Sequence, residues 1–153
     1  MISDIPPGLI LIIGAFFAPL IPSGWLRKGY LLFLPIIGFI SLLSLDHGSF
    51  GEVSLFGYEL IHVRIDALSL VFGIIFYIAA FIAVLFSLHS EDTSEQIAAL
   101  AYAGAAIGAA FAGDLITLFV YWELTAITSV FIIWAGGQQR AYDAGMRYLI
   151  IQI

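Results

Sequence analysis

No cysteine occurs in the chain, which excludes disulfides, thiolate zinc sites and cysteine-ligated iron–sulfur clusters. Histidine is scarce too: His47, His62 and His89 stand far apart and form no ligand pair of the HxxxH kind. No metal and no cofactor is therefore expected, and any redox chemistry coupled to this chain takes place elsewhere. Charge is equally sparse, with five basic and eleven acidic residues and a net charge of −6. Lacking a basic cluster, the chain has no electrostatic footprint for nucleic acid. Most of the acids (Glu52, Glu59, Glu91, Asp92, Glu95) fall in polar stretches, where water screens them.

Apolar residues make up 62% of the 153 positions and charged ones 10%, where a soluble domain carries about a quarter charged. Mean hydropathy is +1.08. About 20 apolar residues at 1.5 Å each cross a hydrocarbon core of roughly 30 Å, and several runs approach that length. The expected fold is an all-α membrane protein: about five transmembrane helices, the start of a sixth, and an external β-hairpin between helices two and three. A single helical domain covers residues 1–153. The amino terminus MISDIPPG lacks a basic region and carries Asp4, and no small-residue cleavage site follows, so the first helix is expected to be retained.

In order, segment one runs from about Pro7 to Ile21, started by Pro6-Pro7 and ended by Pro19 and Pro22. A loop SGWLRKG follows, with Trp25 as an interface anchor. Segment two covers about Tyr30 to Leu45, with Pro35 near its first turn. Alternation of Val53, Leu55, Tyr58 and Leu60 around Phe56-Gly57 reads as a hairpin, which lies outside the hydrocarbon because an open sheet edge cannot face lipid. His62 falls in that hairpin and is expected to face solvent. Segment three, about Asp66 to Leu88, starts on an Asp66 N-cap with Ser69 three residues on. Segment four, about Ile97 to Ala112, sets Gly104, Gly108 and Ala112 at spacing four, which permits close helix approach. Segment five is Gly113 to Trp134, and AGMRYLIIQI begins a sixth helix.

Segment five, GDLITLFVYWELTAITSVFIIW, carries the acid that matters most. Counting from Leu115, Glu123 lies roughly 12 Å into the core by helical rise. A carboxylate there is disfavoured by about 2.5–3.5 kcal/mol on insertion scales, so something outside the helix must compensate it. Its neighbours three and four residues away are Phe119, Val120, Ala126 and Ile127, with Ile116 and Val130 extending the same stripe, so no partner exists on its own helix. Desolvation raises the pKa of a buried carboxyl and a nearby cation lowers it; a group held between the two can exchange a proton near neutral pH. Glu123 is accordingly a candidate for proton translocation. The competing reading makes it a structural acid held by hydrogen bonds at a helix contact.

Arg147 is a weaker candidate. It lies about 10 Å into the membrane from the side that Glu123 lies about 16 Å from, so a contact needs a long side chain reaching inward; otherwise it snorkels to headgroups. Asp114 is the other weak candidate, a second relay acid on one reading and an N-cap of segment five on the preferred one. Thr117, Thr125, Thr128 and Ser129 can donate in a wet channel, but in membrane helices such groups more often bond to their own backbone. Trp122 is expected to pack and Trp134 to sit at the interface.

These residues carry a resemblance. The segment GDLITLFVYWELTAITSVFIIW looks like the fifth-helix signature of the antiporter-like subunits shared by Mrp-type cation/proton antiporters (their A and D subunits) and respiratory complex I. VRIDALSLVFGIIF resembles that family's third-helix entry after an external hairpin, and AGMRYLIIQI the start of its sixth helix. The resemblance covers most of the chain in order, and the chain resembles the first third or so of such a subunit. It implies proton movement through a half-channel in which Glu123 works with a lysine on a later helix; Lys28 does not match that lysine. It further implies partners: other membrane subunits, including a polypeptide that supplies the intramembrane lysine, with protons and Na+ or K+ as the ions moved. Three functions are weighed: a cation/proton antiporter subunit, a proton-pumping membrane-arm subunit of complex I or a related hydrogenase, or a non-translocating scaffold or split-gene half. No catalytic chemistry resides in the chain under any of them; on the second it belongs to an NADH:quinone oxidoreductase-type translocase. The expected location is the cell (inner) membrane. The positive-inside rule then places the Arg27/Lys28 and Arg140 loops in the cytoplasm and the amino terminus and hairpin outside.

Overall fold

The computed structural model describes residues 5–22, 24–55, 57–89 and 93–152. Asp4, Phe56, Glu91 and Asp92 lie outside them. In chain order the elements are α1 (Leu9–Phe17), a 3₁₀ turn (Ala18–Leu20), α2 (Trp25–Leu43), β1 (Gly48–Leu55), β2 (Tyr58–Ile65), α3 (Ala67–Ser87), α4 (Thr93–Ala110), α5 (Leu115–Ala135) and α6 (Gln139–Gln152).

Three helices, α2, α3 and α5, are long and apolar enough to cross a membrane. The sequence reading expected about five. The apolar helical run Leu9–Leu20 is shorter than a span, and α4 opens on the polar residues Thr93, Ser94, Glu95 and Gln96. The 21 residues of α3 rise about 31 Å, one hydrocarbon thickness, so it is long enough to cross a membrane by itself.

The start of α2 differs from the sequence reading. The helix begins at Trp25, which brings Arg27 and Lys28 into its first turn and leaves Pro35 in its interior. Long-range hydrogen bonds account for this. The Arg27 guanidinium donates through Nε and Nη2 to the Ile21 carbonyl (3.0 and 2.7 Å) and through Nη1 to Thr93 Oγ1 (2.6 Å), tying the helix start to α4. Pro35 is fully buried and is tolerated as prolines in membrane helices are, where neighbouring helices satisfy the freed carbonyl.

α4 forms the middle of the bundle, packed against α1, α3 and α5, while α2 lies on α3 and α6 on α5. Small residues allow this. A Cβ on Gly104 would lie 2.7 Å from the Gly8 carbonyl oxygen, and one on Gly108 would run into the Tyr121 ring. The stripe expected at spacing four is therefore shared between two neighbours, α1 at Gly104 and α5 at Gly108; Ala112 falls beyond the end of α4.

Tyr77 joins α3 to the amino-terminal end. Its ring fills the space that Gly38 leaves and its buried hydroxyl donates to the Pro7 carbonyl at 2.6 Å. Tyr77→Phe keeps the packing but strands that carbonyl, so a loss of about 1–3 kcal/mol is expected. A lowered thermal midpoint in detergent, relative to an exposed control such as Tyr58→Phe, checks this; equal midpoints would show the bond to be dispensable.

The hairpin pairs antiparallel with Glu52 opposite Ile61 and Leu55 opposite Tyr58. Leu60, Val63 and Ile65 are buried. The ring of His62, expected in solvent, is half-buried and its Nδ1 lies 2.9 Å from the Gly51 carbonyl oxygen across the hairpin. Gly51 has φ +71°, a conformation favouring glycine. Backbone bonds fasten β2 to the α4–α5 link: Arg64 N–H to the Phe111 carbonyl (2.7 Å) and Gly113 N–H to the Ile61 carbonyl (3.0 Å). The link has no room to spare, since a Cβ on Gly113 would run into Ile61 Cγ2.

Candidate functional site

Both long helices on the hairpin side start on an aspartate. Asp66 Oδ1 accepts from Ser69 N–H while Ser69 Oγ accepts from Asp66 N–H, each at 2.8 Å, a complete capping box for α3. Those backbone bonds, and the Arg64 guanidinium 3.2 Å away, hold the Asp66 carboxyl below its ordinary pKa.

Asp114 does the same for α5 and more. Oδ1 accepts from the N–H groups of Ile116 and Thr117, and Oδ2 from Thr117 Oγ1 and from Ile61 N–H in the hairpin, all at 2.8 Å. Burial pushes this carboxyl up, but the donors from Thr117, Ile61 and Ile116 outweigh it and leave the pKa below its ordinary value. The geometry is that of a cap, and the extra bond to Ile61 had no signal in the sequence, because it joins residues 53 positions apart.

A prediction follows with a definite sign. The folded-state pKa lies below the unfolded one, so the stabilisation is present above about pH 4 and is lost as pH falls through the folded value. Asp114→Ala should cost about 1–2 kcal/mol near neutral pH. Its deficit should shrink as the pH falls below the ordinary carboxylate range, where wild type begins to lose the same ionised group. Thermal midpoints of the two proteins between pH 7 and 3 check this; a gap independent of pH would refute it.

Along α5, Thr117, Tyr121, Ala126, Thr128 and Val130 are buried. The hydroxyls turn back on their own helix: Thr125 Oγ1 to the Tyr121 carbonyl (3.2 Å), Thr128 Oγ1 to Leu124 (2.8 Å) and Ser129 Oγ to Ala126 (2.7 Å). Trp122, expected to pack, is 54% exposed. Trp134 stacks on Tyr142, meets Phe131 edge-on and donates to the Tyr142 carbonyl at 3.4 Å, which holds α6 against α5.

Glu123 is partly buried, and among the described residues it takes part in no hydrogen bond or ion pair. Its helix neighbours divide. Ala126 and Val130 are buried, whereas Ile116, Phe119, Val120 and Ile127 are exposed. The acid thus sits at the edge of a broad apolar face left exposed by the described residues. Arg147 is not brought to it: that side chain is exposed on α6 and its Nε donates to the Asp143 carbonyl one turn back at 3.3 Å. Among the described residues no group of three His, Asp or Glu could hold a metal ion.

A groove of about 580 Å³ opens elsewhere, between α3, α4, α5 and α6, and Glu123 is not among its walls. Arg64 and Asp66 stand at one end, with Phe72, Phe76, Tyr102 and Trp122 along the sides.

No family model matches the chain, and no curated protein matches it. Among solved structures the fold is similar to a chain of the membrane-bound sulfane sulfur reductase (MBS), an archaeal respiratory membrane complex. The TM-score is 0.80 at 22% identity over 95% of this chain, and the match covers 24% of that chain. The present chain therefore spans about a quarter of that chain's length, and it shares the fold of that part of a membrane-complex subunit.

Proposed function

We propose that this polypeptide is part of a membrane-arm subunit of an ion-translocating complex, and that Glu123 is the protonatable group of a half-channel completed by a partner. One observation carries the reading. A carboxyl group in the body of a membrane-long helix has no counter-charge among the described residues and borders an exposed apolar face. In lipid such a group is costly, and a basic residue on a neighbouring polypeptide or later helix removes that cost while poising it for proton exchange. The resemblance of the Trp122-Glu123 segment to antiporter-like subunits supports the same assignment and points to an intramembrane lysine as the counter-charge, with protons and Na+ or K+ as the ions moved.

In the assembled complex α1 and α4 complete five spans and the start of α6 lies beside them. The positive-inside rule sets the start of α2 (Arg27, Lys28) and Arg140 on the cytoplasmic side and the hairpin outside. Asp114 acts as a cap rather than a relay. Cation/proton antiport is the first form of this activity. A redox-driven form, in which electron chemistry in other subunits moves the proton, is favoured by the fold likeness to a respiratory complex. The test is proton movement in vesicles bearing the complete complex with Glu123→Gln. Loss of movement with assembly intact supports the reading, and an unchanged rate overturns it. Dependence on Na+ or K+ rather than on the electron donor then separates the two forms.

A further inference from the structure

We propose that the groove between α3, α4, α5 and α6 holds one acyl chain of a zwitterionic phospholipid, with the lipid headgroup seated on the Arg64–Asp66 pair. The position of the groove and the charges at its mouth carry this. α3 is one hydrocarbon thickness long and begins at Ala67, so Arg64 and Asp66, just before it, stand at headgroup level. From Leu68 to Phe76 the wall descends eight residues, about 12 Å by rise, which is most of one leaflet of roughly 15 Å. The lining along that descent is mainly alkyl and aromatic, with Ser69, Thr125 and Gln152 as its polar members: Leu68, Phe72 and Phe76 recur one turn apart on α3, facing Ala106 and Ala109 of α4. At about 580 Å³ it lies within the roughly 300–1,000 Å³ of small-molecule sites, and Leu68, Phe72 and Trp122 remain exposed along its open side, where a lipid enters laterally.

The mouth selects the headgroup. Among the described residues the Arg64 guanidinium bonds to the side chain of Asp66 alone, through Oδ2 at 3.2 Å, and both side chains are largely exposed, at 60% and 43%. One fixed cation beside one fixed anion matches a phosphate beside an ammonium group: phosphate on the remaining guanidinium N–H donors, ammonium on the carboxylate. A purely anionic headgroup satisfies Arg64 but meets Asp66 with repulsion.

The experiment uses the complete complex in vesicles of either phosphatidylethanolamine or phosphatidylglycerol, each doped with the same lipid carrying a photoreactive diazirine in its tail. Labelled peptides are mapped by mass spectrometry. Labelling of the Phe72–Phe76 and Trp122–Ala126 segments by the ethanolamine lipid, and more weakly by the glycerol lipid, is expected. Arg64→Gln should reduce it about tenfold, as for the loss of one charge-assisted contact. Arg64 is exposed, so an unchanged thermal midpoint is expected of that variant. Asp66→Asn keeps an N-capping side chain and should abolish the preference for the ethanolamine lipid. Equal labelling of wild type by both lipids, or no labelling of these segments, overturns the proposal. So does a disulfide between Phe72→Cys and a cysteine placed in a partner's helix, since a protein helix would then occupy the groove. Each of these readings stands apart from proton movement, so it can fail while the role of Glu123 stands.

Discussion

Glu123→Gln is expected to lower proton movement by the complete complex roughly a hundredfold, a loss typical of removing a group that transfers protons. The substitution keeps the size and polarity of the side chain and removes its titration. A neutral amide is also less costly in hydrocarbon than a carboxylate, so insertion of α5 is not impaired and the loss is one of proton exchange. Glu123→Ala separates the alternatives. If Gln and Ala variants both assemble and both fail to move protons, the carboxyl is the working group. Should both destroy assembly, the acid holds a helix contact instead; should both move protons as wild type does, the relay assignment is lost. Assembly is read by size-exclusion chromatography of the solubilised complex, and proton movement by quenching of a pH-sensitive dye in vesicles. The apolar neighbours at Phe119, Val120 and Ile127 are exposed within this chain, so on the proposed reading a counter-charge would approach from that face.

The second large effect concerns packing. Gly104→Ala should lower the thermal midpoint by roughly 5 °C, because the new methyl group meets backbone rather than a movable side-chain tip. Its Cβ would lie 2.7 Å from the Gly8 carbonyl oxygen and 3.0 Å from Ile12 N, both parts of the α1 segment, so α1 must move off α4. Overpacking of this kind costs about 1–3 kcal/mol, and in a chain of this size each kcal/mol is worth about 2–4 °C. Gly29 provides the matched control. It lies within α2 with nothing near its absent Cβ, so Gly29→Ala should raise stability by up to about 1 kcal/mol through helix propensity. Opposite signs at the two glycines are the expected result, read from midpoints of the purified protein in one detergent. A Gly104→Ala protein as stable as Gly29→Ala would show that α1 and α4 do not approach as closely as this.

Much of the architecture is legible from residue order alone. The Asp66/Ser69 box and the Asp114 cap are local, spanning three residues each, and the sequence places them correctly. The period-two stretch around Gly57 forms a hairpin as expected, and the runs that became α3 and α5 announce themselves by length and hydropathy. The start of α2 is misplaced by five residues because Arg27 and Lys28 look like loop residues until Ile21 and Thr93 supply acceptors for Arg27. Trp122 looks like a packing residue because apolarity does not distinguish a face toward another helix from a face toward lipid.

Composition and hydropathy period were enough to establish a helical membrane chain with two aspartate-capped helices, a hairpin and a carboxyl group inside one of its helices. Such features depend on each residue's own chemistry and on neighbours within a turn. The docking of the hairpin on Asp114, the sharing of Gly104 and Gly108 between two helices, and the failure of Arg147 to reach Glu123 all needed the folded chain. They join residues tens of positions apart, and which distant groups meet is set by how helices pack in three dimensions. That information is spread over every contact in the bundle and is written in no single segment.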